Sequence, residues 1–220
     1  MKKNRMMRLA SGLLVAVLLT TSVISGTFAK YVSEAEGFDQ ARVAKWGVDV
    51  VVDMDETFKT TYEALPANAG IFAETVVSSN SDKLVAPGTN GELLSEATIS
   101  GTPEVAVNVK KEATLELLNW EVDGSYYCPL VITVDGTEYK GTAYQTVGDF
   151  IAAVTGALNE DVNYEAGHTF DDEHSVLWRW DFEGGDGQDN GKDSDLGDYA
   201  AKTGDIEIKF GYKVTVTQID

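Results

Sequence analysis

The segment Ile206-Glu207-Ile208-Lys209-Phe210-Gly211-Tyr212-Lys213-Val214-Thr215-Val216-Thr217 alternates apolar and polar residues without error. Strict period two is the pattern of a half-buried strand. At about 3.3 Å per residue it would reach about 35–40 Å, so a bend at Gly211 is expected. The same period recurs upstream. Trp46, Val48, Val50 and Val52 oppose Lys45, Gly47 and Asp49, and Val105, Val107 and Val109 oppose Ala106 and Asn108. A further strand is expected over 113–122, with Leu115 and Leu117 on one face. Val176, Trp178, Trp180 and Phe182 alternate with Leu177, Arg179 and Asp181. Asp135-Gly136 separates two β-prone runs as a two-residue hairpin loop. Residues 85–91 hold two turn signals, Pro87-Gly88 and Asn90-Gly91. One helix stands out: Val147, Phe150, Ile151, Val154 and Leu158 follow helical spacing behind Thr146 as N-cap, with Asp149 in the first turn. Many strands, frequent turns and a single helix point to an all-β chain. The expected fold is an antiparallel β-sandwich of jelly-roll type, with a hairpin-plus-helix insertion over about 125–200.

The N-terminus reads differently. Lys2, Lys3, Arg5 and Arg8 precede an apolar run from Leu9 to Ile24, and Gly26-Thr27-Phe28-Ala29 ends it with small residues. This is the form of a signal peptide over residues 1–29, cleaved between Ala29 and Lys30; the alternative is an uncleaved membrane anchor, for which the run, interrupted by Thr20, Thr21 and Ser22, is short. Residues 30–42 are small and polar, an arm or edge strand, and 43–220 is the β domain. The leader carries four of the 17 basic residues and none of the 36 acidic ones, leaving 13 against 36 on the exported part. Such a surface repels phosphate backbones and argues against a nucleic-acid partner. The expected location is outside the cell, in the matrix or at the cell surface. Cys128 is the only cysteine, so no internal disulfide can form, and its place at the start of an apolar strand suits a buried small side chain.

Three groups of side chains invite a chemical reading. Asp181, Glu183, Asp186, Asp189, Asp193, Asp195 and Asp198 crowd a glycine-rich stretch read as a loop, and oxygen ligands on such a loop are what calcium accepts. The regular calcium-loop spacing is missing, so a solvated loop competes with a site at Asp186, Asp189, Asp193, Asp195 and Asp198. His168 and His174 stand six apart, which fits no zinc-peptidase spacing, and exposed loop histidines are expected. The aromatic row of Trp178 and Trp180 can be a sugar platform or a core face; period two favours the core. There is no nucleophile elbow, phosphate loop or dinucleotide fingerprint, and the chain is read as having no catalytic residues and no obligate cofactor.

Several short motifs in order carry a resemblance: 26–31 at the leader junction, the strand beginning Ala41-Arg42-Val43-Ala44-Lys45-Trp46, 85–89 leading into Ile99-Ser100-Gly101 and 105–109, and the closing strand from Ile206. In these the chain resembles the TasA/camelysin family of secreted Gram-positive proteins. The resemblance implies a subunit of an extracellular biofilm-matrix fibre, processed by a dedicated signal peptidase. It implies assembly with other copies of itself, with an accessory fibre-nucleating protein as a further partner. Lys30, Tyr31, Val32 and Phe38 would then belong to a strand donated to a neighbouring subunit after cleavage. The zinc motif of a peptidase is absent. The alternative is a monomeric surface module that holds glycan or calcium.

Overall fold

The computed structural model describes residues 13–14, 40–54, 57–64, 71, 73–182, 189–203 and 206–219. Residues 1–42 and 43–220 form separate compact units, and the β-rich one is the second. In chain order its strands are β1 (Val48–Asp53), β2 (Thr61–Glu63), β3 (Glu74–Val77), β4 (Asn90–Leu94), β5 (Glu96–Gly101), β6 (Val107–Leu118) and β7 (Glu121–Val122). They continue as β8 (Ser125–Tyr126), β9 (Leu130–Val134), β10 (Thr137–Lys140), β11 (Glu160–Tyr164), β12 (Phe170–Glu173), β13 (Val176–Trp180) and β14 (Glu207–Gln218). Two α-helices accompany them, α1 (Val147–Leu158) and α2 (Asn190–Thr203).

The described strands pair only antiparallel. Three larger sheets have the orders β1-β5-β12, β10-β9-β13-β4 and β11-β6-β14, and β2-β3 and β7-β8 are small hairpins. The all-β, antiparallel reading therefore holds. Residues 125–200, expected as an insertion, supply β9 to β13 and so at least one strand to each larger sheet.

The closing strand pairs with β6 along twelve consecutive positions, from Glu207 opposite Leu118 to Gln218 opposite Val107. No register shift falls at Gly211. A Cβ there would lie 2.7 Å from the Thr114 hydroxyl on β6, so a larger residue would have to turn that hydroxyl aside. The expected two strands before and after Lys110-Lys111 are likewise one, since β6 runs through both lysines. Its inward positions are Val107, Val109, Lys111, Ala113 and Leu115, all buried.

That inward row divides the core. Val107 and Val109 pack with Ile99 of β5 and Phe170 of β12, joined by Val48, Val50, Val214 and Val216. Ala113 and Leu115 belong to a larger cluster with Leu93, Ile132, Val176, Trp178 and the α1 side chains Phe150, Val154 and Leu158. Lys111 stands between the two clusters. Helix α1 forms where its spacing placed it: the Thr146 hydroxyl accepts the Asp149 N–H at 3.1 Å and donates to the Asp149 carboxylate at 2.7 Å. The β9–β10 hairpin turns at Asp135 and Gly136 with φ of 46° and 82°, as a two-residue loop requires.

Two local readings change. Asn90-Gly91 is the start of β4 rather than a second turn, and its glycine admits the indole of Trp178, whose Nε1 would lie 2.8 Å from a Cβ. The acidic stretch read as a loop becomes α2 over residues 190–203. Its glycines and aspartates are poor helix formers, so tertiary contacts hold it. The Asp189 carboxylate accepts the N–H groups of Gly191 and Lys192, and Leu196 is buried in the larger cluster.

Candidate functional site

The structure assembles a polar centre around Lys111, whose partners come from distant parts of the chain. Alternation along β6 turns its side chain inward, where it is 3% exposed. An ammonium group has three hydrogens to donate and cannot accept. Three acceptors meet it: Glu160 Oε2 of β11 at 2.6 Å, His174 Nε2 at 2.9 Å and Asp172 Oδ2 of β12 at 3.4 Å. Because Lys111 can only donate, His174 Nε2 must carry the lone pair. Its Nδ1–H therefore donates to Asp135 Oδ2 at 2.8 Å, in the β9–β10 turn. The other Asp135 oxygen accepts the Ser175 N–H at 2.9 Å.

This network joins the three larger sheets, through β6 and β11, through β12, and through the β9–β10 turn. Burial pulls the Lys111 ammonium down, but the hydrogen bond and charge of Glu160 and the charge of Asp172 outweigh it and hold the group above its ordinary value. Burial likewise pushes the Asp135 carboxyl up, and the Ser175 N–H and His174 outweigh it, leaving it below the usual range. Tyr212 of β14 completes the surroundings. Its ring meets the His174 imidazole edge-on, with centroids 6.4 Å apart. Its hydroxyl is buried and meets no hydrogen-bond partner among the described residues, in the field of Glu160, Asp135 and Asp172.

His174 is thus half-buried and engaged at both nitrogens, where an exposed loop histidine was expected. His168 is exposed and packs its ring against Tyr164 and Phe170, with centroids at 4.4 and 4.7 Å. One usable sign of the centre lies in the chain itself: a lysine two positions from Val109 and from Ala113 in an inward row. Its partners lie 49 to 63 residues downstream, beyond any local pattern.

The other acidic and aromatic candidates are placed apart. Asp193 is buried and accepts the Tyr127 hydroxyl at 2.7 Å, Asp189 caps α2, and Asp195 and Asp198 are exposed on the helix. A helix disperses these carboxylates instead of converging them. Among the described residues no group of three or more His, Cys, Asp or Glu is placed to hold a metal ion. Trp178 and Trp180 are 1% and 6% exposed and belong to the core face. The opposite face of β13, with Leu177 41% exposed and Arg179 beside it, floors an open cleft of about 920 Å³ lined also by Lys59, Asn90, Glu92 and Thr133. Cys128 is fully buried, and burial pushes its thiol up to about 12. Ala29, Lys30, Tyr31, Val32, Phe38 and Asp186 lie outside the described residues.

No helix among the described residues is long and apolar enough to cross a membrane. No protein-family model matches the chain, and no curated protein matches it.

Proposed function

We propose that the chain is an exported structural protein, a jelly-roll subunit of an extracellular biofilm-matrix fibre. Removal of residues 1–29 frees the 30–42 arm, which adds as a strand to the next copy. The observation that carries this reading is the set of open sheet edges in the 43–220 unit. β1, β12, β10, β4, β11 and β14 each have one ladder partner among the described residues. An edge strand offers unpaired N–H and C=O groups that an added strand satisfies. β1 also leaves Val51 and Val52 partly exposed, with Trp46 43% exposed just before it. Head-to-tail repetition of such a contact makes an open filament. The basic-apolar leader and the resemblance to the TasA/camelysin family support the same reading. The partners are other copies, a dedicated signal peptidase and an accessory nucleating protein, with no nucleic acid and no catalytic turnover.

Electron microscopy of the processed protein, beside a version lacking residues 30–40, tests it. Filaments are expected from the first and not from the second; equal yields from both would remove the arm from the mechanism. The cleft behind β13 favours a second reading, a monomeric glycan-holding module. That reading requires a single particle in solution that binds sugar, with loss of binding when Leu177 and Glu92 are replaced.

A further inference from the structure

We propose that Lys111 and Asp172 condense to an intramolecular amide, so that the folded chain carries a covalent bridge between β6 and β12. The parts required for that reaction are in contact. The nucleophile is a nearly fully buried amine group, and Asp172 Oδ2 lies 3.4 Å from its Nζ, one bond away from the carbon to be attacked. A base touches the nucleophile: His174 Nε2, unprotonated and 2.9 Å away, turned toward it by Asp135. Nucleophile, base and orienting carboxylate form the arrangement that activates a weak nucleophile. Glu160, at 2.6 Å, is a second proton acceptor on the same nitrogen.

The step balances without an added reagent. One ammonium proton passes to His174 Nε2 and frees the lone pair. The Nζ–Cγ bond to Asp172 then forms as a second proton leaves the nitrogen through Glu160. Both protons end on the departing oxygen, the Cγ–O bond breaks, and water leaves. An amine and a carboxylic acid become an amide and water, with no change of oxidation state. Because the ion pairs favour the ammonium, the reactive amine is a minor species, and the reaction is a slow, single event in each folded molecule. The product suits a chain whose single cysteine denies it an internal disulfide.

Intact-mass measurement of the full-length chain, followed by fragment mapping, tests this. After incubation of the folded protein at neutral pH, the mass is expected to fall short of the sequence value by one water, about 18 Da, with Lys111 and Asp172 peptides joined. Asp172→Ala should keep the full mass, while Asp172→Asn should lose ammonia, about 17 Da, instead of water. Glu160→Gln should slow the loss by about 100-fold, the scale of one general acid–base contribution. A wild-type chain of full sequence mass overturns the proposal. So does a water loss that survives in Asp172→Ala, or fragments that join Lys111 to Glu160.

Discussion

Among the described residues, two regions bury charged side chains, and they do so by different means. At the meeting of the larger sheets, Lys111 finds three acceptors drawn from β11, β12 and the loop after β12, and every ammonium hydrogen is used. At the base of α2, Asp193 is 7% exposed and accepts the Tyr127 hydroxyl at 2.7 Å, and Asp189 meets the same hydroxyl through its backbone N–H at 3.1 Å. The first centre draws on strands from all three larger sheets, whereas the second fastens one helix to one loop. Loss of the first should therefore be felt across the unit, and loss of the second should stay local.

The sharpest break of that contrast is Lys111→Ala. It leaves Glu160 and Asp172 without their cation and opens the seam between the two apolar clusters. Stability should fall by about 3 kcal/mol, the low end for breaking a buried ion pair, because both carboxylates keep access to water. A urea midpoint lowered in one cooperative transition is the expected outcome; an unchanged midpoint would show that the network does not bear on the fold. Next comes Tyr127→Phe, which strands a buried carboxylate and should cost about 2 kcal/mol. Here the readout is amide hydrogen exchange, expected to quicken across residues 190–203 while β6 and β14 stay protected.

The smallest effect sharpens the first region alone. Asp135 is held below its ordinary value in the folded state, so the unfolded chain binds its proton more readily as pH falls. The stability it contributes is complete above about pH 4, its unfolded range, and is lost as pH drops through the lower folded value. Asp135→Asn should make the acid limb of a melting-temperature profile shallower below about pH 4, without changing its shape near neutrality. An acid limb as steep as that of the wild type would remove Asp135 from the network's pH response.

These two regions also mark where sequence reading succeeds and fails. β14, α1 and the β9–β10 turn were legible because each rests on its own period, cap or turn residues. The Trp178 row was legible as core because alternation sets one face of a strand against its neighbours. Lys111 was not, because a lysine in an inward row looks like a break between two strands until its distant partners are known. Helix α2 failed for the opposite reason: glycine and aspartate argue against a helix locally, and only Leu196, Asp193 and the capping Asp189 reverse that through contacts. The candidate site was therefore less legible than the fold, since it is built wholly from side chains that meet across sheets.

Strand β12 has a practical consequence of its own. It is four residues long, and the chain's two histidines flank it, His168 before Phe170 and His174 after Glu173. An imidazole-selective magnetic resonance spectrum of this protein would thus contain two signals, one reporting from each tip of a single ribbon. A solitary histidine replacement would assign both, and any event that tugs on the ribbon, whether fibre growth or bond formation beside it, would announce itself at an identified end.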